Sequence, residues 1–306
     1  MFRLSPSPPP RGQAPAGASP AALPPGTSFC GLRIERLLAR GAIGSLYLGV
    51  EEASGTPLAV KVLALAAPNS PGDGLTREAF EREARTAIGL RHPGIVVVHG
   101  VATLPGLGCI LMELLAGTDL SRYTRPGRLL PEPLALEIAA QIAEALAYAH
   151  RQGVVHRDVK PANVMFDPAS GGVKLTDFGL ARADDAEATL SGMLLGSPAY
   201  MAPELLAGGR ADAASDLYAL GVLLFELLTG RLPFAGDSMG ALLRAMASQA
   251  PQTVRELRPD LPAAQAEVLD AILAPVLARA PAERERDGDA WASELRQIRQ
   301  SVFRPR

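Results

Sequence analysis

The run His156-Arg157-Asp158-Val159-Lys160-Pro161-Ala162-Asn163, followed by Asp177-Phe178-Gly179, constrains the fold of this 306-residue chain more than any other feature. It supplies a carboxylate able to take a proton, an ammonium, an amide oxygen and a second carboxylate. Such groups cooperate only when a rigid scaffold holds them at one place. Asn163 must therefore turn back along a tight loop, toward the site that Asp177 reaches from the next hairpin.

Lysine usage supports the same reading. The chain has 27 Arg and three Lys, at positions 61, 160 and 174. A lysine kept in so arginine-rich a sequence is expected where a compact point charge is needed rather than a planar fork. Lys160 lies in the run above. Lys61 lies in Leu58-Ala59-Val60-Lys61-Val62-Leu63, a strand expected to be buried on both faces, where an unpaired ammonium would be costly. Lys174, on a strand just before Asp177, needs no special role.

With 48% hydrophobic and 20% charged residues, the composition is that of a soluble globular protein. The formal charge is −2; residues 1–28 carry Arg3 and Arg11 and no acid, so the remainder is acidic. No nucleic-acid partner is expected from that balance. Cys30 and Cys109 are isolated, with neither metal spacing nor a disulfide framework, and a reducing cytoplasm is the expected compartment. The N-terminus lacks an apolar signal core, and the longest apolar stretch, Leu217 to Leu228, is broken by Glu226 and is too short to span a bilayer. No membrane segment is expected.

Residues 1–28 hold eight prolines and almost no large apolar groups, and are expected to form a disordered Pro/Ala-rich tail. The stretch 29–113 reads as a β-rich lobe of five strands and one helix. Its strands include Leu46 to Val50, Leu58 to Leu63, Ile95 to Val101 and Leu107 to Met112, and its helix runs from Glu78 to Leu90. The stretch 117–303 is mainly helical. Pro131 to Arg151 carries Leu134, Ile138, Ile142, Ala145 and Ala149 at spacings of three and four, and Ala213 to Thr229 and Gln265 to Leu277 follow a similar pattern.

The ordered motifs resemble those of eukaryotic-like serine/threonine protein kinases, bacterial members in particular. The resemblance implies an α+β, bilobal protein kinase fold over residues 29–303, with a small β-rich N-lobe and a larger α-rich C-lobe. It implies transfer of the γ-phosphate of ATP to Ser/Thr hydroxyls of proteins, the chain itself included through self-association, with Mg2+ as metal and Mn2+ as an alternative. Within it Asp158 is the base, Lys160 contacts the γ-phosphate, and Asn163 and Asp177 ligate the metal. Gly41 and Gly44 match the glycine-rich loop, in which Ala39 replaces the first of three glycines. Lys61 matches the lysine on the α- and β-phosphates, and Glu83 its ion-pair partner.

Leu46 and Ala59 would line the nucleotide site, and Met112, Glu113 and Leu115 correspond to the adenine-binding hinge. Asp119 is either a ribose contact or a helix N-cap. Arg157 would pair with a phosphorylated activation segment, for which Thr189 and Ser191 are the candidate sites, while Ser197 would bond Asp158 and Lys160. His156, Phe178, Gly179, Glu204, Asp216 and Arg284 match structural positions, with Arg284 as the cation for Glu204 and Asp216 as the anchor of the catalytic loop. Intact Lys61, Asp158, Asn163 and Asp177 argue against a pseudokinase scaffold. Ala202-Pro203-Glu204, which shapes a peptide-docking surface, argues against a small-molecule phosphotransferase on the same fold.

Overall fold

The computed structural model describes residues 23–41, 44–66, 75–178 and 198–303. The chain divides into two compact units, one ending at residue 115 and the other comprising residues 90–96 and everything after residue 115.

The first unit is a six-stranded antiparallel sheet in the order β1-β2-β3-β4-β6-β5. Its strands are β1 (Ser28–Phe29), β2 (Leu32–Arg40), β3 (Gly44–Glu51), β4 (Pro57–Ala64), β5 (Val98–Leu104) and β6 (Leu107–Glu113). β1 is the strand the five-stranded expectation lacked. It turns into β2 through Cys30 and Gly31, both at positive φ (51° and 73°), as a two-residue hairpin requires. The expected tail also ends earlier than residue 28. Leu23 is buried, its N–H donates to the Tyr47 phenol oxygen at 2.9 Å, and Gly26 N–H donates to Ile34 O at 2.7 Å. A single large apolar side chain in a proline-rich stretch is enough to dock it.

β4 is buried on both faces, as its sequence requires. Leu58, Val60 and Val62 join Leu32, Ile34, Tyr47, Cys109 and Leu111 in one core. Burial there pushes the Cys109 thiol up to about 12, so it behaves as a small hydrophobe. Ala59, Lys61 and Leu63 alternate to the other face, against which helix α1 (Arg77–Gly89) packs at β5 and β6. Gly108, paired with Leu63, makes this possible: a Cβ at Gly108 would sit 2.8 Å from the Phe80 ring. The helix therefore approaches the sheet at a point where no side chain stands.

The second unit is helical, with a small sheet of β7 (Thr118–Asp119), β8 (Val164–Asp167) and β9 (Gly172–Leu175). Its helices are α2 (Glu132–Arg151), α3 (Pro203–Leu206), α4 (Ala213–Thr229), α5 (Met239–Ser248), α6 (Val254–Leu257), α7 (Ala263–Leu273) and α8 (Gly288–Val302). α4 runs through the core, with fifteen of its seventeen residues buried. A reciprocal Asp212–Ser215 capping box starts it, and Gly230 at φ 71° ends it. α2 packs on α4 and α8, and Arg296 of α8 is paired with Glu144 and Glu137 of α2. Two expected boundaries move. The strand expected from Ile95 begins at Val98, because Gly94 to Val96 pair with Leu175 of β9 instead. The helix expected over Gln265 to Leu277 is α7. No helix among the described residues is long and apolar enough to cross a membrane.

Gly108→Val should destabilise the first unit by about 1–3 kcal/mol through overpacking against Phe80. Adding Phe80→Leu should recover part of that loss, and chemical denaturation of the single and double variants measures both.

Candidate active site

Asp216, in the first turn of α4, is a carboxylate only 1% exposed, and it sets the backbone of the loop that carries Asp158. Its Oδ1 accepts from Arg157 N–H (2.8 Å); its Oδ2 accepts from His156 N–H (2.7 Å) and from His150 Nε2 (2.8 Å). Arg157 is thereby held at φ 71°, an unusual conformation for a residue with a side chain. His156 is fully buried: its Nε2 donates to Thr176 O at 2.9 Å, so its Nδ1 accepts from Asp158 N–H at 3.2 Å. Its ring lies 4.4 Å from that of Phe178, which is itself in the core.

The turn so held presents Asp158 to two donors. Lys160 Nζ contacts both carboxylate oxygens, at 2.9 and 2.7 Å, and Asn163 Nδ2 donates to Asp158 Oδ2 and to its carbonyl, each at 2.8 Å. With its amide nitrogen committed twice, Asn163 has Oδ1 left to offer a metal. β8 leaves Asn163 and β9 returns to Thr176, whose N–H donates to Asn163 O at 2.9 Å, so Asp177 follows one residue after that bond. Asp177 sits at φ 65°. One amide oxygen and one carboxylate are hard oxygen donors of the kind Mg2+ takes when phosphate and water complete its shell.

In the first unit the strand register gathers the other expected residues. Cross-strand partners share a face. Leu46 pairs with Lys61, Gly44 with Leu63 and Ala59 with Met112, so Gly44, Leu46, Ala59, Lys61 and Met112 lie on one face of the sheet, the face of Gly108. Gly44 has a steric reason of its own, since a Cβ there would meet Val62 O at 2.3 Å. Gly41 N–H donates to Gly44 O at 2.8 Å across residues 42–43, which lie outside the described residues. Glu83 lies one turn beyond Phe80 on α1, and its side chain is not among those described. Glu81 pairs instead with Arg77, at 2.8 Å. Glu113 Oε1 accepts from Val97 N–H (2.7 Å), and Leu115 is half-buried.

Asp119 caps the 3-10 turn Leu120–Tyr123, accepting from Ser121 N–H at 2.9 Å. Lys174 Nζ reaches Ile95 O at 3.5 Å. Glu204 forms a two-pronged pair with Arg284 (2.6 and 2.9 Å). That guanidinium also donates to Ala278 O and Arg279 O and lies 4.7 Å over the Tyr218 ring. Gly179, Thr189, Ser191 and Ser197 lie outside the described residues.

Two groups escaped the sequence reading. His150 is one, with no local signal beyond its place at the end of α2. The other is Glu226, the lone acid in the apolar stretch of α4. It accepts from the Tyr200 phenol, and burial raises its carboxyl above the usual range while that hydrogen bond opposes the shift. A concavity beside Asp158 is lined by Arg157, Tyr200, Met201, Leu205 and Asp216.

The family described as protein kinase domain matches residues 32–293. The serine/threonine-protein kinase PknJ of Mycobacterium tuberculosis is 41% identical over 266 residues, covering 85% of this chain and 44% of that protein. PknA of the same organism is 40% identical over 281 residues, covering 90% and 62%. The chain thus spans less than two thirds of these relatives. Among solved structures, Rad53 1-466 in complex with AMP-PNP superposes with a TM-score of 0.72 at 25% identity, covering 88% of this chain and 66% of that one. A β-rich unit carrying Lys61, a helical unit carrying Asp158, Asn163 and Asp177, and a family match across most of the length together show that this chain belongs to the protein kinase domain family.

Proposed function

We propose that the chain is a catalytically active serine/threonine protein kinase that uses ATP and Mg2+ and takes protein substrates. The bracketing of Asp158 by Lys160 and Asn163 carries this reading. It fixes a carboxylate at the end of a rigid turn, beside a point charge suited to phosphate oxygens. Bound ATP and Mg2+ would supply the transferable phosphoryl group and neutralise the charge on its oxygens. Asp158 orients a substrate hydroxyl and accepts its proton. Lys160 offsets charge on the transferring group. Asn163 Oδ1 and the Asp177 carboxylate hold the metal. Lys61 steadies the α- and β-phosphates, with Glu83 as its partner on the helix that packs against the same sheet face. Gly41 and Gly44 let backbone amides approach, Leu46, Ala59 and Met112 face the adenine side, and Glu113 and Leu115 offer backbone groups to the base. Ser197 bonds Asp158 and Lys160, and a cytoplasmic setting and self-association during autophosphorylation complete the reading.

Asp158→Asn should lower phosphoryl transfer to a generic protein substrate by roughly 10²-fold or more while the thermal midpoint barely moves. A rate near that of the parent, measured with labelled ATP, would remove Asp158 from the mechanism and favour a binding scaffold. Lys61→Arg should also lose most activity although charge is kept, because a forked guanidinium replaces a compact ammonium. Steady-state rates at saturating ATP decide this, and near-parental turnover would show the point-charge argument to be wrong.

Arg157 is exposed, and its guanidinium has no ion pair among the described residues. It is the natural partner for phosphate on Thr189 or Ser191. Mass spectrometry of active protein should find phosphate on one of them, and the Thr189→Ala/Ser191→Ala variant should lose activity. Full activity of that variant would leave Asp184, Asp185 or Glu187 as the partner of Arg157.

A further inference from the structure

The 3-10 turn Leu120–Tyr123 packs against Pro161–Asn163 of the loop that carries Asp158. It is firmly seated: Leu120 is fully buried, the Tyr123 ring meets Phe166 of β8 edge-on at 6.0 Å, and Asp119 caps its start. The chain continues through Thr124 to Arg128, where Arg128 N–H donates to Arg125 O at 2.9 Å. Pro126 lies so close to the turn after α4 that a Cβ at Gly230 would meet it at 2.9 Å. With its apolar side used up in this way, the segment shows solvent Arg122, Arg125 and Arg128, and Arg231 is exposed beside it.

None of these four guanidiniums has an ion pair among the described residues, and no acid occurs between Asp119 and Glu132. Several arginines elsewhere in the same unit are matched, Arg258 with Glu132 and Asp260, Arg296 with Glu144 and Arg284 with Glu204, while Arg157, Arg210 and Arg244 stand singly without an ion pair among the described residues. An arginine row left unmatched on a rigid element against the catalytic loop is placed to meet carboxylates on whatever approaches Asp158.

The geometry points to a substrate-selecting role: Arg122, Arg125 and Arg128, with Arg231 beside them, favour protein substrates whose acceptor Ser or Thr is flanked by Asp and Glu. The inference rests on the kinase reading above and adds the substrate class to it. The chain's own Asp184-Asp185-Ala186-Glu187, just ahead of Thr189 and Ser191, has this composition and makes a second copy a substrate of the right charge. Exposed pairs are individually weak, but three of them at the strength usual for such pairs amount to about a tenfold effect.

The test uses the whole chain and two synthetic peptides with the same central serine, one flanked by Asp and Glu and the other by Arg and Lys. The parent protein should favour the acidic peptide about tenfold in kcat/KM, and the preference should fade toward 1 M salt, where charges are screened within about 3 Å. The Arg122→Glu/Arg125→Glu/Arg128→Glu variant should raise KM for the acidic peptide and lower it for the basic one, with kcat and KM for ATP unchanged. Equal use of the two peptides by the parent overturns the inference, as does a preference that survives charge reversal. Binding of anionic lipid vesicles through these arginines, with no peptide preference, overturns it too and assigns them to a membrane surface. Absence of transfer to both peptides and to a generic protein would instead overturn the kinase reading, and this inference with it.

Discussion

The Asp216 carboxylate is the contact on which the site depends. It is buried without an ion pair to a lysine or arginine side chain among the described residues, and three N–H donors converge on it from α2 and from the loop before Asp158. A non-glycine residue held in the left-handed region costs of order 1–3 kcal/mol, and that is what Arg157 incurs. Each hydrogen bond to a charged group returns about 1.5–3 kcal/mol, so two backbone bonds to Asp216 outweigh the strain. The direction in which Asp158 leaves the loop is therefore decided at the start of α4. The Asp212–Ser215 capping box matters for the same reason, because it fixes where that helix begins.

A second buried charge fastens the segment after residue 197 to the helical unit. Arg284 gives its guanidinium to Glu204, Ala278 O and Arg279 O, and stacks over Tyr218. Removing one member of such a pair leaves a charge without compensation, which is far more costly than never having buried either. The pair joins residues 80 positions apart, so the Ala202-Pro203-Glu204 turn, closed locally by backbone bonds such as Leu205 N–H to Ala202 O, is fastened to the unit by a distant segment. Tyr200, two residues before that turn, is held by Glu226 of α4, and α4 thus supports both the loop that carries Asp158 and the concavity beside it.

In the β-rich unit the organising constraint is steric. β4 alternates between the Val60-centred core and the face that bears Lys61, and the strand register places Gly44, Leu46, Ala59 and Met112 on that face. Two glycines permit close packing there in different ways: Gly44 because β4 backbone lies against it, Gly108 because the Phe80 ring does. The ladder accordingly sets where Lys61 stands, and the packing of Phe80 sets where α1 stands relative to it.

Much of this was legible in the sequence, and what was not has a common cause. Spacing of apolar residues along the chain reports strands and helices, and the order of short polar motifs reports the family, because both are local properties. The two-faced burial of β4 and the stripe of α2 followed from that pattern alone. The role of Asp119 as a cap stayed open in the sequence, since a ribose contact and an N-cap ask for the same side chain. His150 gave no signal because its partner is 66 residues away, and Glu226 was visible only as an interruption of an apolar run. Leu23 docked where composition indicated a tail, and Gly94 to Val96 left β5 to pair with β9. In each case the sequence determined which group was present and how its own element would run, while the tertiary structure decided which distant donor or surface would meet it. Burial makes an unmet polar group or an unfilled apolar surface costly, and only the packed chain brings the partner that relieves it.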